Sequence, residues 1–346
     1  MSDAATPGEF ELIRRYFMQD VEPACRSDQV SPHQARAGVV LGQGDDCALL
    51  APSPGCRLAV SVDTSLADVH FPRDASAEAI GHRALAVNLS DLAAMGARPR
   101  WFVLALTLPD VDEQWLEGFA RGLYGLAREH DIALVGGDIT RGRELSITIT
   151  VHGDVPDDSA ITRHGARPGD LLAVTGVLGS AHGGLRAWFD GQRDEHHPLV
   201  KAYLRPAPRV GEAMSIRHLV SGGLDISDGL LADLGHLCAR SGVGACLEAG
   251  AIPLDQALVE LLGAQEALEA ALNGGDDYEL LLALAPVQED AVRRALETLG
   301  GELHVIGRVT AEPGITGIVS TGRGWQHFHA QDHHDAEEHH GTGASP

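Results

Sequence analysis

LDISDGLLADLG, residues 224–235, decides how this chain is read. The run GGLDI leading into it reads as a strand over 222–226, and GLLADLGHLCAR beyond it as a helix over 229–240. Asp225 and Asp228 bracket Ser227 at that junction. A strand handing over to a helix presents helix N-terminal N–H groups to an anion, and the two carboxylates offer oxygen ligands to a metal. One chain segment therefore carries a fold signal and a chemical signal together.

Working outward, the same alternation repeats in both directions. Before the junction come a strand at 171–175 and helices across 180–217; after it a strand at 244–248 and a helical region near 255–272. Strand 279–284, helix 287–299 and strands near 303–309 and 315–320 follow. In the first half, spacing predicts an opening helix over 8–19 with Phe10, Ile13 and Phe17 on one face. Strands at 47–51 and 57–62 come next. A long helix from about Ala75 to Met95 is capped near Asp74 or Ser76 and stopped by Gly96. A strand at 101–108, a helix at 112–129 and strands at 132–135 and 145–153 complete that half. The alternation indicates α/β or α+β architecture in two domains. The polar segment PDDSAITRHGARPGD (156–170) is the expected boundary, giving domains 1–155 and 156–328 and a histidine-rich tail over 329–346.

Five further acidic turns resemble the first in kind: GDDCALL (44–50), SVDTSL (61–66), NLSDLAAMG (88–96), VGGDITRG (135–142) and NGGDDYEL (273–280). Any one alone reads as an ordinary turn or cap. Asp63 ends an apolar run, where a strand end would project it from a sheet edge; Asp138 follows two glycines that let a ligand approach the backbone. Asp91 sits on the same helical face as Asn88 among Ala and Leu, so it needs either a cation or an arginine such as Arg83 or Arg98.

The formal net charge is −23, and Lys201 is the sole lysine. That balance argues against nucleic acid and anionic membranes as partners. It also removes the GxxxxGK[ST] phosphate loop, so phosphate would be neutralised by arginines, backbone N–H groups and divalent metal. The 5 cysteines form no CxxC pair and read as reduced thiols; with no long apolar stretch and no leader, the chain reads as cytoplasmic.

Taken in order, GDDCALL, AVNLSDLAAMGA, GGDITRG, ITRHGARPGD, DISDGLLADLGH and GGDDYEL resemble the thiamine-monophosphate kinase family over about residues 8–328. The resemblance implies a two-domain fold like that of aminoimidazole ribonucleotide synthetase, with an N-terminal sheet domain that dimerises and a C-terminal α/β domain. It implies direct transfer of the ATP γ-phosphoryl group to thiamine phosphate, with several Mg²⁺ ions and a homodimer. The metal set carried over is Asp46, Ser61, Val62 (through its backbone oxygen), Asp63, Asp91, Asp138, Asp225 and Asp228. The ATP contacts are Gly137, Asp138, Arg163 and Ser227, and the substrate contacts His70, Asp276 and Trp325; no protein nucleophile or base is implied. The family commonly has a hydroxyl residue where Val62 stands and a glutamate where Asp276 stands. Two rivals remain at this stage. One is a sibling ATP-dependent synthetase; the selenophosphate enzyme's reactive cysteine and lysine have no match. The other is a cation sensor, against which the absence of DxDxDG loops speaks.

Overall fold

The computed structural model describes residues 8–18, 34 and 37–320. Trp325 and the histidine-rich tail lie outside the described residues. A short helix α1 (Glu9–Leu12) passes directly into a π-helical turn over Ile13–Phe17. The wider turn shifts the buried face to Leu12, Tyr16 and Phe17 and leaves Phe10 exposed, which corrects the expected Phe10–Ile13–Phe17 stripe. The small antiparallel pair β1 (Val39–Leu41) and β2 (Leu49–Leu50) follows.

The first main sheet is built from β3 (Cys56–Leu66), β4 (Arg98–Leu108), β5 (Ala133–Arg141) and β6 (Ser146–Pro156), with helices α2 (Ala77–Ala94) and α3 (Glu113–Glu129) between the strands. Its order is β3-β6-β4-β5, antiparallel except for the parallel β4–β5 pair. Ser76 caps α2 by accepting the Ala79 N–H, which settles the choice between Asp74 and Ser76, and Gly96 ends it at φ 63°. Gly81 on α2 and Gly122 on α3 face each other's helix backbones. A Cβ on Gly81 would meet the Phe119 carbonyl oxygen at 2.1 Å, and one on Gly122 the Glu78 carbonyl oxygen at 1.9 Å. The two helices thus touch backbone to backbone.

The second sheet holds β7 (Leu171–Val174), β8 (Gly222–Asp225), β9 (Gly244–Leu247), β10 (Leu280–Leu284), β11 (His304–Thr310) and β12 (Gly314–Thr316) in the order β12-β9-β11-β7-β10-β8. All neighbours pair antiparallel except β12 with β9. Its helices are α4 (Ser180–Phe189), α5 (Pro198–Leu204), α6 (Val210–Ile216), α7 (Leu230–Ser241), α8 (Gln256–Leu262), α9 (Ala264–Asn273) and α10 (Glu289–Glu297). Strands β7, β8 and β10 are buried at every position, as strands covered on both faces are.

Two expectations about strand ends are corrected by register. The pairing of β3 with β6 continues to Leu66, so Asp63 lies within a strand and not at its end. The pairing of β5 with β4 continues to Arg141, so Gly136, Gly137 and Asp138 form part of the edge strand. Gly137 is required by packing: a Cβ there would sit 2.0 Å from the Leu104 carbonyl oxygen. The described cysteines Cys47, Cys56, Cys238 and Cys246 are free thiols. Among the described residues no helix is long and apolar enough to cross a membrane.

Candidate active site

A cleft of about 580 Å³ opens where α2 of the first half meets the β8–α7 and α9–β10 connections of the second. Asp63, Asp91, Asp225, Ser227 and Asp228 line one part of it; His70, Arg83, His182, Tyr203, Asp276 and Tyr278 line the rest. Chain segments far apart in sequence therefore converge on one space.

Helix α2 organises the acidic end through three of its residues. The Asn88 side-chain oxygen accepts the Asp63 N–H at 3.1 Å, and the Ser90 hydroxyl donates to Asp225 at 2.6 Å. Asp91 accepts from the Ser61 hydroxyl at 2.5 Å. The NLSD stretch thus reaches β3 in the first sheet and β8 in the second. The arginine pairing considered for Asp91 does not occur: Arg83 pairs with Asp276 and Arg98 with Asp131. Asp233, one turn into α7, accepts the N–H groups of both Ser227 and Asp228 at 3.1 Å and so fixes the ISDG turn.

Asp63, Asp91 and Asp225 crowd like charges together, and the charge of Arg163 offsets them only in part at Asp91 and Asp225. Burial, then the nearby Asp91 and Asp228, push Asp63 up to about 6. Burial and Asp91 push Asp225 up to about 6 against the Ser90 hydrogen bond. Asp91 is raised by burial, with Ser61 and the charge of Arg163 acting the other way. Burial and Asp228 carry Asp233 to about 7. Such shifts measure the cost of assembling like charges away from water. All-oxygen donors with surplus negative charge suit a hard divalent cation. Among the described residues no three acids or histidines stand close enough to hold an ion alone. A hard cation held there would need water and phosphate oxygens to complete its shell.

The other end is balanced. His70 lies in the turn after β3, where its Nδ1 accepts the Leu66 N–H at 3.0 Å, leaving Nε2 as the protonated nitrogen of a neutral ring. Asp276 and Tyr278 sit at φ 62° and 52°, and both the Arg83 guanidinium and the Tyr278 hydroxyl donate to Asp276 Oδ1 at 2.6 and 2.8 Å.

Not every residue singled out from the sequence reaches this cleft. Asp138 is in register with Ala105, Thr148 and Thr64, on the opposite face of the first sheet from Asp63. It lines a separate groove with Gly137, Gln43 and Phe17. Asp46 is exposed in the loop before β2, its N–H bonded to the Asp45 carboxylate at 2.9 Å. The Val62 side chain is exposed on the face opposite Asp63. Arg163 is exposed and outside the cleft lining. Residues that sequence reasoning passed over include Ser90, Asp233, Tyr203, Tyr278 and His182. A hydroxyl beside Asp91 and an acid one helical turn past the ISDG turn were the available signals for the first two.

Comparison with known proteins places this geometry. Residues 44–155 match the N-terminal domain of the AIR synthase related protein family, and residues 167–320 match its C-terminal domain. The thiamine-monophosphate kinase of Escherichia coli (strain K12) is 44% identical over 310 residues, covering 88% of this chain and 91% of that protein. The chain belongs to the thiamine-monophosphate kinase family. The crystal structure of the thiamine-monophosphate kinase from Stenotrophomonas maltophilia K279a superposes with a TM-score of 0.78 at 45% identity, covering 82% of this chain and 93% of that one. A second thiamine-monophosphate kinase structure, AaThiL complexed with AMPPCP and TMP, superposes with a TM-score of 0.72 at 31% identity, covering 82% and 91%. Membership in the thiamine-monophosphate kinase family removes both rivals, the sibling synthetase and the cation sensor.

Proposed function

We propose that this cleft transfers the γ-phosphoryl group of ATP directly to the phosphate of thiamine phosphate, giving thiamine diphosphate and ADP. The observation that carries the reading is the convergence of Asp63, Asp91, Asp225 and Asp228 on one cleft whose other end holds His70 and Asp276. The relative bound to AMPPCP and TMP supports both substrate classes.

The obstacle is electrostatic. Each pair of unit charges brought to 4 Å costs on the order of 4 kcal/mol at an effective dielectric of 20, and two phosphorylated reactants make several such pairs. Bound Mg²⁺ ions would supply the missing positive charge, with one or two of Asp63, Asp91, Asp225 and Asp228 holding each ion. Ser61 and Ser90 orient Asp91 and Asp225 through their hydroxyls, and Asn88 fixes the backbone of Asp63. The acceptor is already an ionised phosphate oxygen, so no protein group need remove a proton. Catalysis then rests on alignment and charge stabilisation. The N–H groups of Ser227 and Asp228 are taken up by Asp233, so Ser227 would offer its hydroxyl to ATP phosphates at the head of α7.

The homodimer belongs to the same reading. Leu58, Val60 and Val62 form an exposed apolar row on β3, on the face of the first sheet that α2 does not cover. A second copy of this chain is the occupant that row suits. Asp46, Gly137 and Asp138, outside the cleft of their own chain, would then serve the cleft of the other copy. Mixing the protein with Mg²⁺, ATP and thiamine phosphate should yield thiamine diphosphate and ADP in equal amounts. ADP release without thiamine diphosphate, or no turnover at all, would overturn the assignment.

A further inference from the structure

Arg83 is an almost completely buried cation, bonded through each of its three guanidinium nitrogens, that the phosphoryl-transfer reading leaves without a task. It stands on α2, two turns before Asp91, with only 4% of its surface exposed. Its Nε donates to the His70 carbonyl at 3.2 Å, its Nη1 to the Tyr203 carbonyl at 2.5 Å and its Nη2 to Asp276 Oδ1 at 2.6 Å. The guanidinium carbon lies 4.3 Å from the Tyr203 ring centroid and 6.0 Å from that of Tyr278. One side chain therefore ties together the turn after β3, the end of α5 and the loop before β10.

Burying an ion pair is a poor route to stability, because desolvation consumes most of the Coulombic gain. Its return here is in position. Asp276 and Tyr278 both adopt left-handed backbone conformations that non-glycine residues resist, and such strain persists only where surroundings over-determine it. The Asp276 N–H is held by the Ser227 carbonyl at 2.8 Å, but its carboxylate is held by Arg83 and the Tyr278 hydroxyl alone. Both act on Oδ1, so among the described residues Oδ2 keeps its accepting capacity for a ligand in the cleft.

We propose that Arg83 is the positioning residue of the thiamine phosphate end, fixing the Asp276 carboxylate and the His70 turn in the geometry that receives the substrate. The planar fork is essential to this role, since a lysine ammonium cannot serve three acceptors in three directions with the same geometry. The inference rests on His70 and Asp276 being the substrate end of the cleft.

The test is steady-state kinetics of the full chain with both substrates varied. Arg83→Lys keeps the charge and loses the fork; its KM for thiamine phosphate should rise about tenfold or more, the scale of a charge-assisted hydrogen bond. The KM for ATP and the turnover at saturation should change by less than about threefold. Tyr278→Phe removes only the second hydroxyl bond, folds without demand on the buried pair, and should raise the same KM by a smaller factor. Adding Arg83→Lys to Asp276→Asn should then raise that KM by less than the product of the two single effects, because the two share one carboxylate. A general structural role would instead lower turnover and raise both KM values together, and that result overturns the inference. If Asp276→Asn raises the KM for thiamine phosphate while Arg83→Lys and Tyr278→Phe do not, the inference fails and the substrate-end reading stands. If Asp276→Asn leaves that KM unchanged, both fall.

Discussion

The two ends of the cleft handle charge in opposite ways. At one, Asp63, Asp91, Asp225 and Asp228 meet, with no ion pair to Asp63, Asp91 or Asp225 among the described residues, and Asp63 and Asp225 are pushed up to about 6. At the other, Asp276 is matched by the buried Arg83 and a tyrosine hydroxyl. Uncompensated carboxylates mark where positive charge must arrive from outside. Compensated ones mark where geometry has been settled in advance.

The sharpest way to break this contrast is to neutralise one acid at the unbalanced end. Asp91→Asn or Asp63→Asn should reduce turnover by about a hundredfold or more, the scale of losing one charge-stabilising group. The metal-free melting temperature should hold or rise, since a repelling charge has gone. Wild-type turnover at saturating Mg²⁺ would remove the residue from the site.

A second test asks whether the acids outside the cleft belong to the unbalanced end of another copy. Asp91→Asn and Asp138→Asn should each be inactive alone. Co-refolded in equal amounts, they should recover about a quarter of wild-type activity, because half the dimers are mixed and each has one intact site. Recovery of nothing would mean that both residues serve the site of their own copy, or would deny the dimer.

The pH dependence tests the charge argument without turnover. Asp63 and Asp225 have folded values near 6, above the ordinary 3.8, so the folded protein binds their protons more tightly than the unfolded chain. Their contribution to stability is complete below about pH 4 and is lost as pH rises through 6, on the order of 3 kcal/mol per group. Metal-free melting temperature, scanned from pH 5 to 7.5, should carry this loss, and added Mg²⁺ should raise it more at the upper end. A Mg²⁺ shift that does not grow with pH would contradict the cation-binding reading. The smallest effect belongs to Ser61→Ala, which removes one hydrogen bond orienting Asp91 and should slow turnover by about tenfold or less at unchanged KM for thiamine phosphate.

Much of this was legible in the chain. The alternation of apolar runs and amphipathic helices placed nearly every element, because each sheet and helix follows local periodicity and caps such as Ser76. Asp63, Asp91, Asp225 and Asp228 stood out in the sequence because acidic turns recur six times on a chain with one lysine, and the structure brings these four to one cleft. What escaped is what only pairing decides. Nothing local tells a reader that β5 runs on through Gly136–Asp138, or that register sends Asp138 and Asp63 to opposite faces. The partners of Arg83 escaped for the same reason: its acceptors lie 13, 120 and 193 residues away.

Helix α2 carries both Arg83 and Asp91, and at 1.5 Å per residue the eight steps between them span about 12 Å. On the proposed reading, that segment is a fixed gauge between the place where a ligand's body would rest and the place where its phosphate would react. The glycine contact with α3 denies the helix room to slide, so the interval is set by covalent geometry. Inserting or deleting a single residue between the two would turn one end by about 100° relative to the other. Molecules too short to reach from one mark to the other would be held without reacting, and selection by length would follow from the pitch of one helix.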